Sequence, residues 1–169
     1  MPRGVIMFVR LVDGFNRRVG TVAMYLVFVM MGILFYSSIS KAFLLPANWT
    51  LESAQFAMAA YFMLGGAFAM QTGDHVRMDL FYSSWSLRRR AAMDVLTAVA
   101  LITYLAFMLY GGLSSTTYAI QYGEKSFTAW APYMWPIKVT MTFGILLMLL
   151  QSVANLIKDV AQVRGKPIA

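Results

Sequence analysis

His75 and Asp79 stand four residues apart in GDHVRMDLF, residues 73 to 81, where the chain's one histidine lies among two aspartates and an arginine. On a helix that spacing places both side chains on one face, and a carboxylate that orients an imidazole serves general-base, metal or haem chemistry. The rest of such a site is hard to assemble. A zinc centre needs at least three protein ligands, and with no second histidine and no cysteine the others would be carboxylates. A bis-histidine haem would take its second axial ligand from another chain, and a nucleophilic triad needs a serine placed by the fold. The absence of cysteine also removes thiolate nucleophiles and disulfides. The residues therefore assign no catalytic group, no metal and no cofactor. A haem-binding anchor of a redox complex, using His75, stands as an alternative function.

Three further ionisable residues sit next to apolar stretches. Glu52 falls where a helix would begin, and a carboxylate there is stabilised by the positive end of the helix dipole. Its other reading is a contact with a partner chain or a pair with Lys138, because an unpaired ionisable group beside a membrane segment is costly. Lys138 opposes the dipole of the helix it would open, so it either snorkels outward or takes an acidic partner, with Glu52 and Glu124 as the candidates.

The elements that must position these residues are set by charge-free runs. The 169 residues are 60% hydrophobic and 12% charged, with a mean hydropathy of +0.64, where soluble domains carry about 25% charged residues. Uncharged stretches of 22, 21, 29 and 19 residues lie between Arg18 and Lys41, Glu52 and Asp74, Asp94 and Glu124, and Lys138 and Lys158. About 20 apolar residues cross a bilayer as a helix, so each run suffices for one crossing. Continuous apolarity excludes the alternating pattern of a membrane barrel, and backbone groups in lipid must bond internally, so the fold is all-α with four transmembrane helices in an antiparallel bundle. A small dimeric exporter is a further alternative. No acid lies deep in any of the four runs to couple protons, which counts against it.

Basic residues set the expected orientation. Arg3, Arg10, Arg17, Arg18, Arg77, Arg88, Arg89, Arg90, Lys158, Arg164 and Lys166 would all face one side, leaving Lys41, Lys125 and Lys138 on the other. The positive-inside rule then puts both termini and the middle loop in the cytoplasm. The net charge of +7 is read as topology and as attraction to anionic phospholipid, not as nucleic-acid binding. The first apolar run is longer than a signal-peptide core of about 7 to 15 residues and is expected to remain as a helix.

The resulting layout is a single membrane domain. It has an amphipathic interfacial segment at about 1–18 that precedes a turn into the membrane, a first span at about 19–40 and a second at about 51–73. An inner loop at about 74–92 leads to a third span at about 93–118, an outer loop at about 119–135, a fourth span at about 136–158 and a tail at 159–169. Thr50 is the expected N-cap of the second helix. Gly65, Gly66 and Ala69 in the second span, and Gly111, Gly112 and Ser115 in the third, are spaced for close helix approach. Trp49, Trp85, Trp130 and Trp135, with Arg88, Arg89 and Arg90, suit the lipid interface.

In the order WTLES, LGGAFAMQTGDHVRMDLF, LRRRAAMDVL and WAPYMWPIK, the chain resembles the small Q-type permease subunit of tripartite ATP-independent periplasmic (TRAP) transporters. The resemblance runs from the first span to the fourth. Its most specific part is Gly73, His75 and Asp79, preceded by Glu52; Val76 stands where isoleucine is frequent and Met78 where valine is frequent. The resemblance implies a bacterial inner-membrane complex. In it a periplasmic binding protein, at least transiently associated, delivers an organic acid to a large M-type membrane subunit that moves it inward with sodium. The small subunit is then a scaffold, one-to-one with the large one, and no enzyme. Glu52, Gly73, His75, Arg77 and Asp79 are expected at the cytoplasmic turn or the large-subunit contact.

Overall fold

A computed structural model describes residues 3–43, 47–72 and 87–163. Four helices make up nearly all of it: α1 (Arg3–Phe43), α2 (Trp49–Thr72), α3 (Leu87–Gln121) and α4 (Trp135–Val163). Each contains a stretch long and apolar enough to cross a membrane. The fold is all-α, as the charge-free runs require; the first and fourth runs lie wholly within α1 and α4, the third continues past the end of α3 through Tyr122 and Gly123, and the described part of the second lies in α2.

The helices are longer than the runs that announce them. The 41 residues of α1 extend about 61 Å at 1.5 Å per residue, about twice the hydrocarbon thickness of a bilayer. The turn expected between a segment at 1–18 and a span from 19 is absent, because α1 passes through Arg17 and Arg18 without interruption. Packing accounts for the continuity. Val9 and Val12 are sealed against Ala154 of α4, with Leu150 and Ile157 beside them, so the beginning of α1 is held along the bundle. Charged side chains do not break a helix, and interior glycines such as Gly14 and Gly20 cost only about 1 kcal/mol each; α1 contains no proline, the residue that would.

Contacts fix the direction of the helices. Ser37 meets Thr50 and Gly20 meets Phe68, so α1 and α2 run antiparallel. Asn16 meets Gln151 and Asp13 meets Lys158, so α1 and α4 are antiparallel as well. Met63 lies against Gly144 and Met70 against Ser152, so α2 and α4 run parallel. The start of α1 and the end of α4 therefore share one end of the bundle, here the terminal end; Trp49 and Trp135 mark the opposite end.

The four helices are not equivalent. In the most apolar window of α4, 44% of residues are buried, against 11% in α1, 11% in α2 and 6% in α3. The last helix is thus the core of the chain, with α1, α2 and α3 packed around it. Its close approach to α2 depends on Gly144, where a Cβ would stand 2.7 Å from the backbone oxygen of Met63. Small residues of this kind permit helix association in lipid, where no hydrophobic drive favours protein over acyl chains.

Candidate functional site

At the terminal end, a chain of polar side chains ties three helices together. Gln151, wholly buried on α4, accepts a hydrogen bond of 2.6 Å from Asn16 Nδ2 on α1. Its own amide donates to Asp13 Oδ1 at 3.0 Å and to Asn155 Oδ1 at 3.1 Å. Asn155 in turn donates to the backbone oxygen of Met70 at 3.1 Å, and Gln71 donates to that of Asp13 at 3.2 Å, which brings in α2. Lys158 lies 2.7 Å from Asp13 Oδ2, with both side chains mostly shielded. A desolvated carboxylate needs such a partner and such donors. Among the described residues, the network leaves Asn16 Oδ1 and Gln71 Oε1 buried without a hydrogen bond.

Neither Asp13 nor Gln151 was among the residues singled out in the sequence. A signal was present on one side: Gln151, Asn155 and Lys158 are spaced i, i+4, i+7, a polar stripe on one face of an apolar helix. Its partners, Asp13 and Asn16, sit in a segment whose mixed composition has a simpler explanation at a membrane surface.

At the opposite end, α3 closes with a left-handed residue. Gly123 has φ of +58°, and the Glu124 amide reaches back to the Ala119 carbonyl at 3.1 Å, the six-to-one bond of a Schellman cap. This cap places the Glu124 carboxylate 2.5 Å from Lys138 Nζ in the first turn of α4. Lys138 thus takes Glu124, not Glu52, as its acidic partner. Between them the chain forms a compact hairpin. Ser126 donates to Pro132 at 2.9 Å, Met134 donates to Glu124 at 2.9 Å, and the Lys125 ammonium lies 4.7 Å from the Tyr133 ring centre. Phe127 at the tip is fully exposed, and Trp49, Trp130 and Trp135 are exposed at the same end of the bundle.

Among the described residues Glu52 has no such partner. It lies in the first turn of α2, only 7% exposed, and its Oε2 is buried with no hydrogen bond among the described residues. Thr50 does not cap the helix. It lies inside a helix that begins at Trp49, and its hydroxyl reaches the Ala47 carbonyl at 2.8 Å and Ser37 Oγ at 3.0 Å, so it links α2 to α1.

The small residues fall into two groups. Gly66 lies against Met148 and Gly112 against Thr142, each with a would-be Cβ at 3.0 Å, while Gly65 and Gly111 have nothing within 4 Å. Ala69 is partly buried on α2, and Ser115 is exposed on α3. Gly111, Gly112 and Ser115 border a groove of about 740 Å³ between α2 and α3, floored by α4. Gly73, His75, Arg77, Asp79 and Trp85 lie outside the described residues. Arg88, Arg89 and Arg90 occupy the start of α3, with side chains outside the description.

The arrangement is built from helix-to-helix ties and exposed apolar surface. Comparison with curated proteins and with solved structures finds no match. The family model described as "Tripartite ATP-independent periplasmic transporters, DctQ component" matches residues 30–162, from the middle of α1 almost to the end of α4. That range includes all of α2, α3, the hairpin and the polar stripe of α4; with four membrane-spanning helices and this match, the chain belongs to the DctQ family of TRAP transporter components.

Proposed function

We propose that the chain is the non-catalytic scaffold of a sodium-coupled TRAP transporter of the bacterial inner membrane. It associates one-to-one with the large membrane subunit and holds the stationary part of that subunit in place. Both termini face the cytoplasm, so the hairpin at 124–134 faces the periplasm. There a binding protein delivers an organic acid or a related small solute. The exposed tryptophans and the basic residues of the terminal end sit among phospholipid headgroups. Gly73, His75, Arg77 and Asp79 contribute to the turn before α3 and its large-subunit contact.

The observation that carries this reading is how the described polar side chains are used. Asp13, Asn16, Gln151, Asn155 and Lys158 bond to one another across helices, and Glu124 bonds to Lys138. Carriers bind ions and substrates at discontinuous helices, where unwound backbone offers carbonyl and amide groups. Here α1 to α4 each run unbroken, so their mid-span backbone is occupied by its own hydrogen bonds. A chain braced in this way suits a frame better than a moving carrier.

The test is reconstitution. The tagged chain, co-expressed with the large subunit and extracted in mild detergent, should elute with it in one-to-one ratio. Proteoliposomes containing both, supplied with binding protein and a sodium gradient, should accumulate solute. Uptake by this chain alone, or a Soret band in the purified chain, would overturn the scaffold reading.

A further inference from the structure

We propose that the groove between α2 and α3 seats a transmembrane helix of the large subunit, and that this helix brings a hydrogen-bond donor or a cationic side chain to Glu52. The inference rests on the scaffold reading and specifies the face that would carry it.

The groove exists because α3 packs on α4 and leaves a gap beside α2. Ala59 and Phe56 form one wall, Gly111 and Ser115 the other, with Met141 and Ile145 on the floor. Gly111 differs from its neighbour Gly112. The latter is filled by Thr142, whereas a Cβ on Gly111 would meet nothing within 4 Å. It is a notch that no part of the described chain fills. Small residues facing a gap from both sides allow a helix backbone to come close, the geometry that favours helix packing over loose acyl chains.

Glu52 supplies the independent observation. Residues 52, 55, 56 and 59 follow helical spacing along one face of α2, and Gln55, Phe56 and Ala59 all line the groove. Glu52 is therefore one turn beyond the lining on the same face of α2, at the hairpin end of the groove, buried and with Oε2 unpartnered among the described residues. A buried carboxylate in this state lacks a donor, and the incoming element must bring one. The charge pattern favours protein over phospholipid. Lys138, the basic residue of the lining, is held by Glu124 at 2.5 Å. A lipid phosphate at this end of the groove would thus approach the Glu52 carboxylate without a free cation from the described lining. A helix with an arginine, lysine or hydroxyl at that depth meets no such conflict.

The chain contains no cysteine, so a single introduced thiol is unique in it, and the purified variant can be given a benzophenone photo-cross-linker before it is combined with the large subunit. Ala59→Cys and Ser115→Cys should each give an adduct with the large subunit. Phe28→Cys on the exposed surface of α1, 66% exposed, should not. A second pair of variants separates recognition from folding. Glu52→Leu should reduce affinity for the large subunit by roughly tenfold or more, the scale of one charge-assisted hydrogen bond, and Glu52→Gln by less. Because Oε2 has no partner among the described residues, the thermal stability of the isolated chain should be unchanged or higher in Glu52→Leu. If the large subunit co-purifies but the groove positions give adducts only with lipid, or Phe28→Cys cross-links instead, the groove assignment is overturned and the scaffold reading stands. If no large subunit co-purifies with the unaltered chain, both fail.

Discussion

Asn16 on α1 and Gln151 on α4, 135 positions apart in the chain, share a 2.6 Å hydrogen bond with both side chains sealed from solvent. Gln151 makes two further bonds, to Asp13 and Asn155, so it is the residue on which α1, α2 and α4 converge. Gln151→Leu keeps roughly the side-chain size but removes the amide, leaving the Asn16 amide and Asn155 Oδ1 without their partner. Interhelical hydrogen bonds in membranes average about 0.6 kcal/mol, while a stranded buried polar group costs about 1–3 kcal/mol. The stranded groups should dominate, giving a loss of about 1–3 kcal/mol. Thermal unfolding in detergent reads it, and an unchanged midpoint would mean that the network contributes little.

The start of α1 should be structural. Deleting residues 2–12 removes Val9 and Val12 from their seat on Ala154, Leu150 and Ile157. A fully buried valine contributes at most about 1.5–3 kcal/mol, so the loss should exceed that of any single surface change. Hydrogen exchange should also quicken in the last turns of α4, the part left uncovered. A segment that lay apart on the lipid surface would leave both observables where they were.

What could be read from the sequence, and what could not, divides along the length scale of the forces. Four spans are legible because bilayer thickness sets a minimum apolar length, a property of consecutive residues. Lys138's need for an acid is legible because dipole and charge are local, and Glu124 lies only 14 positions away. The Asn16 to Gln151 bond is a tertiary fact between two residues that each look unremarkable in place. The same holds for α4 as the central helix. Its apolar run is the shortest of the four, and nothing in its composition tells that three helices gather on it. Gly144, a lone glycine in TFGILL, lacks the paired spacing that draws attention to Gly65 with Ala69, yet it has the closer neighbour.

Gly144 and Gly65 should therefore respond oppositely to the same change. Gly144→Ala drives a Cβ to 2.7 Å from the Met63 backbone oxygen, which only a shift of α2 against α4 can relieve. Overpacking of this kind costs about 1–3 kcal/mol. Gly65→Ala meets nothing within 4 Å and replaces a poor helix former by the best one, so it should be neutral or stabilising by up to about 1 kcal/mol. Parallel thermal melts of the two variants check the contrast, and equal destabilisation would contradict the close α2 to α4 approach.

The ion pair between Lys138 and Glu124 should control the hairpin and not the bundle. Its two side chains are 20% and 34% exposed, so screening limits the pair to about 1 kcal/mol or less. The Gly123 cap holds the backbone at Glu124 whether or not the carboxylate is paired. Lys138→Met should therefore leave the global melting midpoint within about 2 °C, since a 1 kcal/mol change moves a chain of this size by about 2–4 °C. Limited proteolysis at the exposed Phe127 should quicken several-fold, because the hairpin opens locally when the tie to α4 is lost. Glu124→Gln should quicken cleavage similarly, and the double variant should be no worse than either single one, since all three lose the same interaction. If the effects of the two single changes instead add, the residues act through separate contacts and the pair is not what holds the hairpin.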